Sequence, residues 1–306
     1  MGSWSIGVLG WCHYSITPTF QLIFTMQIIE TLYAMRDWSE RERREGRRIA
    51  LVPTMGFLHE GHLSLVRDAK KRADRVAVSI FINPIQFAPG EDFAAYPRDF
   101  ERDCQLLETE KTDIVFHPAL AAMYPDGAET YVEVEKLSRP LCGATRPGHF
   151  RGVATAVAKL FNVIRPHVAI FGQKDYQQLQ VIRKMVRDLS MEVEILGHPI
   201  VREADGLAMS SRNAYLTPDE RRAAVCLSRS LCKAERLARR RETSAQSLLS
   251  LVRAELAKES LANLEYVKLC DPETLIDVET VGRAALLALA VRFGKARLID
   301  NRVLNR

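Results

Sequence analysis

Strand-like and helix-like stretches alternate along the first two thirds of the chain, and this alternation limits the fold more than any other feature of the sequence. Short apolar runs typical of buried strands lie at residues 49–52, 76–81, 113–116 and 168–171. Apolar residues repeat at helical spacing in the segments 27–45, 60–72, 100–110, 152–164 and 176–189. Because helices that join parallel strands cover the faces of the sheet, the predicted fold class is α/β, a parallel sheet with helices on both faces.

The C-terminal third of the chain has a different pattern. Charged helical runs are predicted at residues 218–241 and 244–258, and strands follow at 264–269, 285–293 and 296–299. Gly294 lies between the last two strands, where a glycine that accepts positive φ suits a tight hairpin. We therefore predict two domains, a larger one at residues 26–200 and a smaller α+β domain at residues 201–306.

Residues 1–25 differ from the rest of the chain because they contain no Asp, Glu, Lys or Arg, and the first charged side chain is Glu30. A signal peptide would need a positive start and a small-residue cleavage site, and neither is present. We expect residues 1–25 to be a disordered extension, or sequence upstream of the true start at Met26.

Composition excludes several classes of protein. The net charge of +5 comes from interspersed acids and bases, which argues against a nucleic-acid surface, and no apolar run of 18 residues predicts a membrane span. The six cysteines form no CxxC pair, so neither a disulfide framework nor a zinc knuckle is indicated. We expect a soluble, cytoplasmic protein with reduced thiols.

The stretch PTMGFLHEGH, residues 53–62, follows the first predicted strand and leads into a helix. Helix N-termini at the carboxyl ends of parallel strands offer free N–H groups and a positive dipole end to anions. Gly56 and Gly61 allow a close approach of the backbone, and His59 and His62 are spaced to point the same way. The favoured interpretation is a phosphate site; a zinc site and histidines satisfied by local backbone are the alternatives.

Two further clusters have the composition of an anion site. Lys174, in the sequence FGQKD, follows a predicted strand, where its ammonium is placed to meet a phosphate. Its neighbour Asp175 is a suitable helix N-cap, which would explain that residue without any ligand. The stretch MSSRN, residues 209–213, offers two hydroxyls, a guanidinium and an amide, although alone it would be interpreted as a solvated loop before a helix capped by Thr217.

Loop residues after the other strands add polar groups. Asn83 and Gln86 carry uncharged side chains that could fix a substrate's hydroxyl or carboxylate, with turn chemistry around Pro84 as the alternative. The stretch Tyr96-Pro97-Arg98 and the stretch from Arg146 to Gly152 add arginines in loops.

Taken together, these motifs resemble the pantothenate synthetase family (pantoate–β-alanine ligases), which belongs to the nucleotidyltransferases with a His-x-Gly-His signature. The matching stretches are PTMGFLHEGH, FINPIQFAPGEDFAAYPRD, LCGATRPGHFRGVATAVAKLFNVIRPHVAIFGQKDYQQL and VREADGLAMSSRNAYL. They cover most of residues 49–216 in the order of the family, and four ordered motifs are far more specific than one.

The resemblance implies a ligation in two steps. Pantoate's carboxylate attacks the α-phosphate of ATP to give pantoyl adenylate and pyrophosphate, and the amine of β-alanine then attacks the acyl group and releases AMP. It also implies Mg²⁺ with the nucleotide, a Rossmann-like nucleotide-binding domain, a C-terminal lid domain and a homodimer. The partners would be the small molecules pantoate, β-alanine and ATP, with no nucleic acid and no membrane.

The resemblance also assigns residues. His62 is implied as catalytic, together with His59 and Lys174, and Gln86 and Gln178 as the glutamines that hold pantoate. Asn83, Tyr96 and Arg146 are further implied substrate-binding residues. The implied ATP-binding residues are Met55, Gly56, Phe57, Leu58, His59, Glu60, Gly61, His62, Gly172, Gln173, Lys174, Asp175, Val201, Met209, Ser210, Ser211 and Arg212.

Physical chemistry adds expectations about these groups. A cationic His62 is expected to serve the phosphate charge better than a neutral one, and nearby phosphates are expected to raise its pKa. Glu91 and Asp92 could meet Mg²⁺ through water, but Mg²⁺ often relies on substrate phosphates, so no protein ligand is predicted.

Two other functions stay open from the residues alone. A pure nucleotidyltransferase would never form the amide, and an adenylate-sensing binding module would have no need of donors aimed at a transition state.

Overall fold

The protein is described by a computed structural model that places residues 1–2, 26–240 and 243–305. Residues 1–25 are predicted to be a disordered extension or upstream sequence, and residues 3–25 of this segment lie outside the described part. None of the described helices is long and apolar enough to cross a membrane.

The main sheet is parallel and, in the described part of the chain, has six strands, which confirms the predicted fold class. In chain order they are β1 (Gln27–Ile29), β2 (Ile49–Thr54), β3 (Arg75–Ile80), β4 (Ile114–Phe116), β5 (Val168–Gly172) and β6 (Glu194–His198). Their spatial order is β1-β4-β3-β2-β5-β6, and every pairing between neighbours is parallel. The order reverses between β2 and β5, which is where open α/β sheets place their ligands.

Seven of the described helices accompany this sheet. They are α1 (Leu32–Arg44), α2 (Glu60–Lys70), α3 (Phe100–Thr109), α4 (Leu120–Met123), α5 (Cys142–Thr145), α6 (His149–Ile164) and α7 (Tyr176–Asp188). Strand β2 shows how both faces are buried, because Ile49 and Leu51 pack against α1, α6 and α7, whereas Ala50 and Val52 pack against α2 and α3. A strand covered on both faces explains the continuous apolar run in the sequence.

The predicted boundaries need three corrections in this part. The helix predicted at 27–45 begins only at Leu32, after the Thr31 hydroxyl, which accepts a hydrogen bond from the N–H of Ala34. The residues before it form β1, since Gln27 to Ile29 pair with β4. Strand β6 was missed because it lies at the edge of the sheet, where its residues are only partly buried and give no apolar run.

A second, antiparallel sheet forms the C-terminal part, as predicted. It contains β7 (Asn263–Cys270), β8 (Ala284–Phe293) and β9 (Ala296–Asn305) in that order. The hairpin between β8 and β9 turns at Gly294, whose φ is +49°. Strand β9 is longer than the predicted 296–299, because polar residues such as Asp300 and Asn301 interrupt its apolar pattern.

Three of the described helices belong to this part. They are α8 (Pro218–Ala224), α9 (Cys226–Arg239) and α10 (Ala245–Leu256). The single helix predicted at 218–241 is therefore two helices that meet at Val225, and Thr217 caps the first of them, as predicted. Leu287 and Leu289 of β8 pack on the helical side of the sheet, while Leu286 and Ala288 face the core of the larger sheet. The domain boundary at about residue 201 stays a prediction, because two sheets do not by themselves show two independent units.

Candidate active site

The two histidines of PTMGFLHEGH cap the start of α2 and hold each other. The Nδ1 atom of His59 accepts a hydrogen bond from the N–H of Gly61 at 3.1 Å, and the Nδ1 atom of His62 accepts one from the N–H of His59 at 3.3 Å. Their rings lie 4.1 Å apart between centroids. A side chain at Gly61 would collide with the ring of His59, since a Cβ there would lie 2.8 Å from it. The sequence therefore builds a compact double cap in four residues.

This cap fixes the protonation of both rings. An Nδ1 atom that accepts a hydrogen bond carries no proton, so each neutral ring has its N–H at Nε2. Burial, reinforced by Lys174, lowers the pKa of His59 to about 4, and burial together with His59 and Lys174 lowers the pKa of His62 well below its ordinary value. His62 is therefore neutral in this fold at neutral pH, because the site is already positive and poorly hydrated. The expectation that phosphates raise its pKa toward the cationic form stays a prediction.

The loop before the cap is strained and is held from a distance. Gly56 and Phe57 both have positive φ, at +79° and +50°. The N–H groups of Phe57 and Leu58 each donate at 2.7 Å to the carboxylate of Asp103 in α3, which is almost fully buried. Arg102 donates to the carbonyl of Leu58 at 3.0 Å. One buried carboxylate thus stabilises a backbone turn that non-glycine residues rarely adopt.

Lys174 lies in a short 3-10 turn, Gln173–Asp175, between β5 and α7. Its Nζ atom is 3.4 Å from the carboxylate of Asp175. Asp175 makes no capping hydrogen bond to α7, so its interpretation as a helix cap alone is wrong. Burial would raise the pKa of Asp175, but Lys174 and Arg212 outweigh it and hold that pKa below its usual value. Lys174 and Asp175 both line the cleft.

The Ser210–Arg212 stretch also lines the smaller cavity. The Ser210 hydroxyl accepts the N–H of Arg212 at 3.3 Å, and the Ser211 hydroxyl donates to the carbonyl of Phe57 at 3.1 Å. Arg212 forms a bidentate pair with Asp92 at 2.9 and 3.0 Å. This stretch is therefore an ordered part of the cleft rather than a solvated loop.

Asn83 and Gln86 are joined to each other and to the protein. Asn83 is buried, and its amide donates to the Gln86 side chain and to the carbonyl of Gly152, both at 3.0 Å. Its carbonyl oxygen accepts from the hydroxyl of Tyr124 at 2.9 Å. The Gln86 amide lies 2.9 Å from the sulfur of Met55, and both residues line the same cavity as the histidine cap. The geometry favours Gln86 as a group that touches a ligand and Asn83 as the residue that orients it.

Arg146 and His149 form a second charged group next to Gln86. The Arg146 guanidinium pairs with both oxygens of Glu91, at 2.7 and 2.6 Å, and donates to Nε2 of His149 at 3.0 Å. The Nδ1–H of His149 donates to the carbonyl of Gln86 at 2.7 Å. Burial, with help from Arg146, lowers the pKa of His149 to about 4. Since Arg146 and Arg212 occupy Glu91 and Asp92, these acids are engaged in ion pairs and are poorly placed as ligands of Mg²⁺.

Two adjoining cavities bring the predicted residues together. The smaller, of about 210 Å³, is lined by the histidine cap, Gln86 and Tyr96. The larger, of about 780 Å³, lies between the two sheets and includes Arg146. Both cavities share the residues Lys174, Asp175, Gln178, Ser210 and Arg212. A ligand with a phosphate chain would have its charge at this junction.

Most predicted residues line the two cavities, but five do not. Those that line the smaller cavity include Met55, Gly61, Gly172, Val201, Met209 and Ser211. Of the five others, Gly56 lies against Asp103, Phe57 packs beside Arg102, and Leu58 is buried in the core. Glu60 is exposed and pairs with Arg67, and Gln173 donates to the carbonyl of Gly197.

Several residues that support the site are not among those predicted from the sequence. His149 lies in the Arg146–Gly152 stretch but is not among the predicted site residues, and Asp103 looks like any acid in the first turn of an amphipathic helix. Asp300 and Asn301 gave one signal, two adjacent polar residues inside an apolar strand. Tyr266 and Arg297 in the C-terminal sheet line the larger cavity and gave no local signal.

The chemistry of the donors fits a nucleotide better than a metal centre. Among the described residues no group of three or more His, Cys, Asp or Glu side chains could hold a metal ion. The alternative of a zinc site at the histidines therefore has no third ligand in that part of the chain, and the Nδ1 atoms of both histidines are engaged in the cap.

The chain resembles proteins of one family across nearly its whole described length. The family model described as pantoate-beta-alanine ligase matches residues 27–303. Pantothenate synthetase of Heliobacterium modesticaldum is 55% identical over 91% of this chain and 99% of its own length, and that of Thermotoga neapolitana is 55% identical over 91% and 100%.

Solved structures agree with the sequence matches. Pantothenate synthetase from Thermus thermophilus has a TM-score of 0.87 and 44% identity, over 90% of this chain and 99% of that chain. The ligase from Francisella tularensis, complexed with beta-gamma ATP and beta-alanine, has a TM-score of 0.75 and 31% identity, over 91% and 98%. The chain belongs to the pantoate–β-alanine ligase family.

Proposed function

We propose that the cleft between the two sheets is where this chain condenses pantoate with β-alanine through a pantoyl adenylate, with ATP as the activating substrate. The ATP-dependent condensation is the reaction of the family to which the chain belongs. The relative from Francisella tularensis, which was solved with beta-gamma ATP and beta-alanine, supports the use of both ligands here. The roles of individual residues are our proposal.

One observation carries the assignment of roles. The double histidine cap at the start of α2 lines the smaller cavity, together with Lys174 and Arg212, which line both cavities. The cap leaves two Nε2–H donors and the positive end of a helix dipole, and the lysine and arginine supply full charges. Such a set holds a polyphosphate without a dedicated metal centre.

In the first step the carboxylate of pantoate attacks the α-phosphate of ATP, and pyrophosphate leaves. Charge spreads over the equatorial oxygens of that phosphate, so donors fixed beforehand stabilise the transition state more than the ground state. His62, Lys174 and Ser210 are proposed to supply these donors, with Gln86 and Gln178 holding pantoate in line. The carboxylate is already ionised, so this step needs no base.

In the second step the free amine of β-alanine attacks the acyl carbon of the adenylate, and the bond between that carbon and the phosphate oxygen breaks. AMP leaves, and the proton lost from the nitrogen passes to water. The larger cavity, next to Arg146, has room for the incoming amino acid. His149 is a poor acceptor for the amine's proton, because both of its nitrogens are engaged and its pKa is lowered to about 4. Its contacts instead fix the carbonyl of Gln86.

Two finer properties are also proposed. Mg²⁺ is expected to be carried on the phosphates of ATP, where it would neutralise their charge and orient them. A homodimer is proposed from the family resemblance, and light scattering would test it by giving twice the chain mass of 34.6 kDa. The cytoplasmic location stays a prediction.

Exchange of labelled pyrophosphate into ATP tests the proposed function. We expect exchange that depends on pantoate and proceeds without β-alanine, followed by AMP and amide formation when β-alanine is added. Exchange without later amide formation would favour the pure nucleotidyltransferase. Binding of ATP by folded protein without any exchange would favour the adenylate-sensing module.

A further inference from the structure

Two adjacent polar residues are buried in the C-terminal strand β9. Asp300 is 1% exposed and Asn301 is 6% exposed, and they follow Leu298 and Ile299 in the strand. Buried polar groups destabilise a protein unless they are hydrogen-bonded, so their partners identify the task of these residues.

Asn301 reaches the turn that carries Lys174. Its amide nitrogen donates to the carbonyl of Gln173 at 3.0 Å and to that of Lys174 at 2.8 Å. Both hydrogens of one amide are thus used on two consecutive carbonyls of the 3-10 turn after β5. The backbone from which the lysine side chain starts is held from the other sheet.

Asp300 reaches the segment that carries Ser210. Its two oxygens accept from the guanidinium of Arg202 at 2.7 and 2.8 Å. Arg202 also donates to the carbonyl of Gly206 at 3.1 Å and forms an isolated bridge with Ala208. This narrow hairpin leads directly into Met209 and Ser210, so the carboxylate anchors the second phosphate-facing segment.

We propose that Asp300 and Asn301 are positioning residues for the adenylation step: they fix the separation between the Lys174 turn and the Ser210–Arg212 segment. The inference rests on the proposed function, since it acts through residues assigned there to ATP. It makes the C-terminal sheet a part of the phosphate site rather than only a cover over it. A displacement of β9 would move both segments together.

The test measures pantoate-dependent pyrophosphate exchange in variants of the full chain. Asn301→Asp keeps the shape of the side chain but sets an acceptor against two carbonyls, and Asn301→Ser keeps a shorter donor. Asn305→Ala, at an exposed residue in the same strand, is the matched control. Each change is also made in a Lys174→Ala background, and thermal melting checks that every variant folds.

We expect Asn301→Asp to lower kcat for exchange by about 10- to 100-fold, the loss that misplacement of a catalytic group by about 1 Å can cause. The KM for ATP should change less, because the lost interaction matters most in the transition state. Asn301→Ser should retain part of the rate, and Asn305→Ala all of it. In the Lys174→Ala background Asn301→Asp should add almost nothing, because the group that it positions is gone.

Each other result has a definite meaning. Equal losses of rate from Asn301→Asp with and without Lys174 would overturn the proposal, and so would an unchanged rate in Asn301→Asp. Failure of both Asn301 variants to fold would also overturn it, because Asn301 would then be a general structural residue. If Lys174→Ala alone left exchange unchanged, the proposed function of Lys174 would fail and this inference with it. A loss in Lys174→Ala without any in the Asn301 variants would overturn only the inference.

Discussion

The two sides of the phosphate site are built in different ways. At the start of α2, His59 and His62 cap each other within four residues, and the cap needs little from the rest of the chain. On the other side of the comparison, Lys174 and Arg212 lie on segments held by residues far away in sequence, namely Asn301 and Asp92. The local side is therefore visible in a motif, whereas the other side exists only once both sheets are in place.

The largest expected effect concerns the local side. His62→Ala removes both ring nitrogens and should lower turnover by about 10²–10³-fold, the loss typical of one preorganised donor. Pyrophosphate exchange and amide formation both measure it.

Two partial variants of His62 separate its two tasks. Asn can imitate the Nδ1 acceptor, so His62→Asn should keep the melting temperature and lose the rate. Gln can imitate the Nε2 donor, so His62→Gln should keep more of the rate and lose about 1 kcal/mol of stability with the cap. Equal rates in the two variants would contradict the division between the two nitrogens.

The next prediction tests whether the local side is independent of residues that are distant in sequence. Asp103→Asn puts an amide where the N–H groups of Phe57 and Leu58 need an acceptor. Buried N–H groups without partners should lower the free energy of unfolding by about 1–3 kcal/mol, as measured by urea denaturation. Asp99→Asn, at the N-cap of the same helix, is the control and should change stability little, because Asn caps as well as Asp. An equal loss in both variants would show that α3, rather than the loop, is the element affected.

The pH dependence of stability is the third effect. The folded-state pKa of His59 is about 4 and that of His62 is also lowered, whereas unfolded histidine titrates near 6.5. Between these values the unfolded chain binds more protons than the folded chain, so stability is complete above pH 6.5 and falls as the pH drops toward 4.

Urea denaturation at several pH values between 6.5 and 5 measures this effect. The loss from His59 should be about 1.5 kcal/mol over that window. His62, whose pKa is also lowered, should add to this loss, and His62→Asn should remove the part that comes from His62. The same slope in the wild type and in His62→Asn would mean that His62 is not held neutral in the fold.

The smallest effect concerns the remote side. Asp92 holds Arg212 in a half-buried ion pair, where it competes with any phosphate for the same donors. Asp92→Asn should lower the KM for ATP by about 2- to 5-fold, since such pairs contribute about 0–1 kcal/mol. Glu91→Gln is the matched control, because it releases Arg146 and should affect pantoate more than ATP. A higher KM for ATP in Asp92→Asn would show that Asp92 positions Arg212 instead of competing for it.

The two sides of the site also differ in how well they can be predicted from the sequence. The parallel sheet follows from apolar runs such as 49–52, and the phosphate site at the start of α2 follows from its glycines and histidines. The features that were not predicted depend on tertiary pairing. Strands β1 and β6 are edge strands whose residues form no continuous apolar run. Asp103 could not be found either, because an acid in an amphipathic helix has no local sign of its distant partners. Asn301 shows in the sequence only as a polar residue inside an apolar strand, which does not indicate the segment that it contacts.

Protonation was the other point that sequence could not give. A phosphate site suggests a cationic His62, yet its pKa depends on burial and on the charge of Lys174, which only the fold brings near. The reciprocal cap uses a histidine as an acceptor, which is a role that Ser, Thr, Asp or Asn usually has. The motif gives the residues, and the fold determines which nitrogen carries the proton.

In the reciprocal cap both histidines are neutral and carry their proton on Nε2, and ¹⁵N-resolved NMR of the histidine rings at neutral pH is the decisive measurement. We expect unprotonated Nδ1 atoms and Nε2–H groups for His59 and His62, assigned by comparison with His59→Asn and His62→Asn. Doubly protonated rings, or the Nδ1–H tautomer in either residue, would contradict the reciprocal cap and the donors that it leaves for ATP.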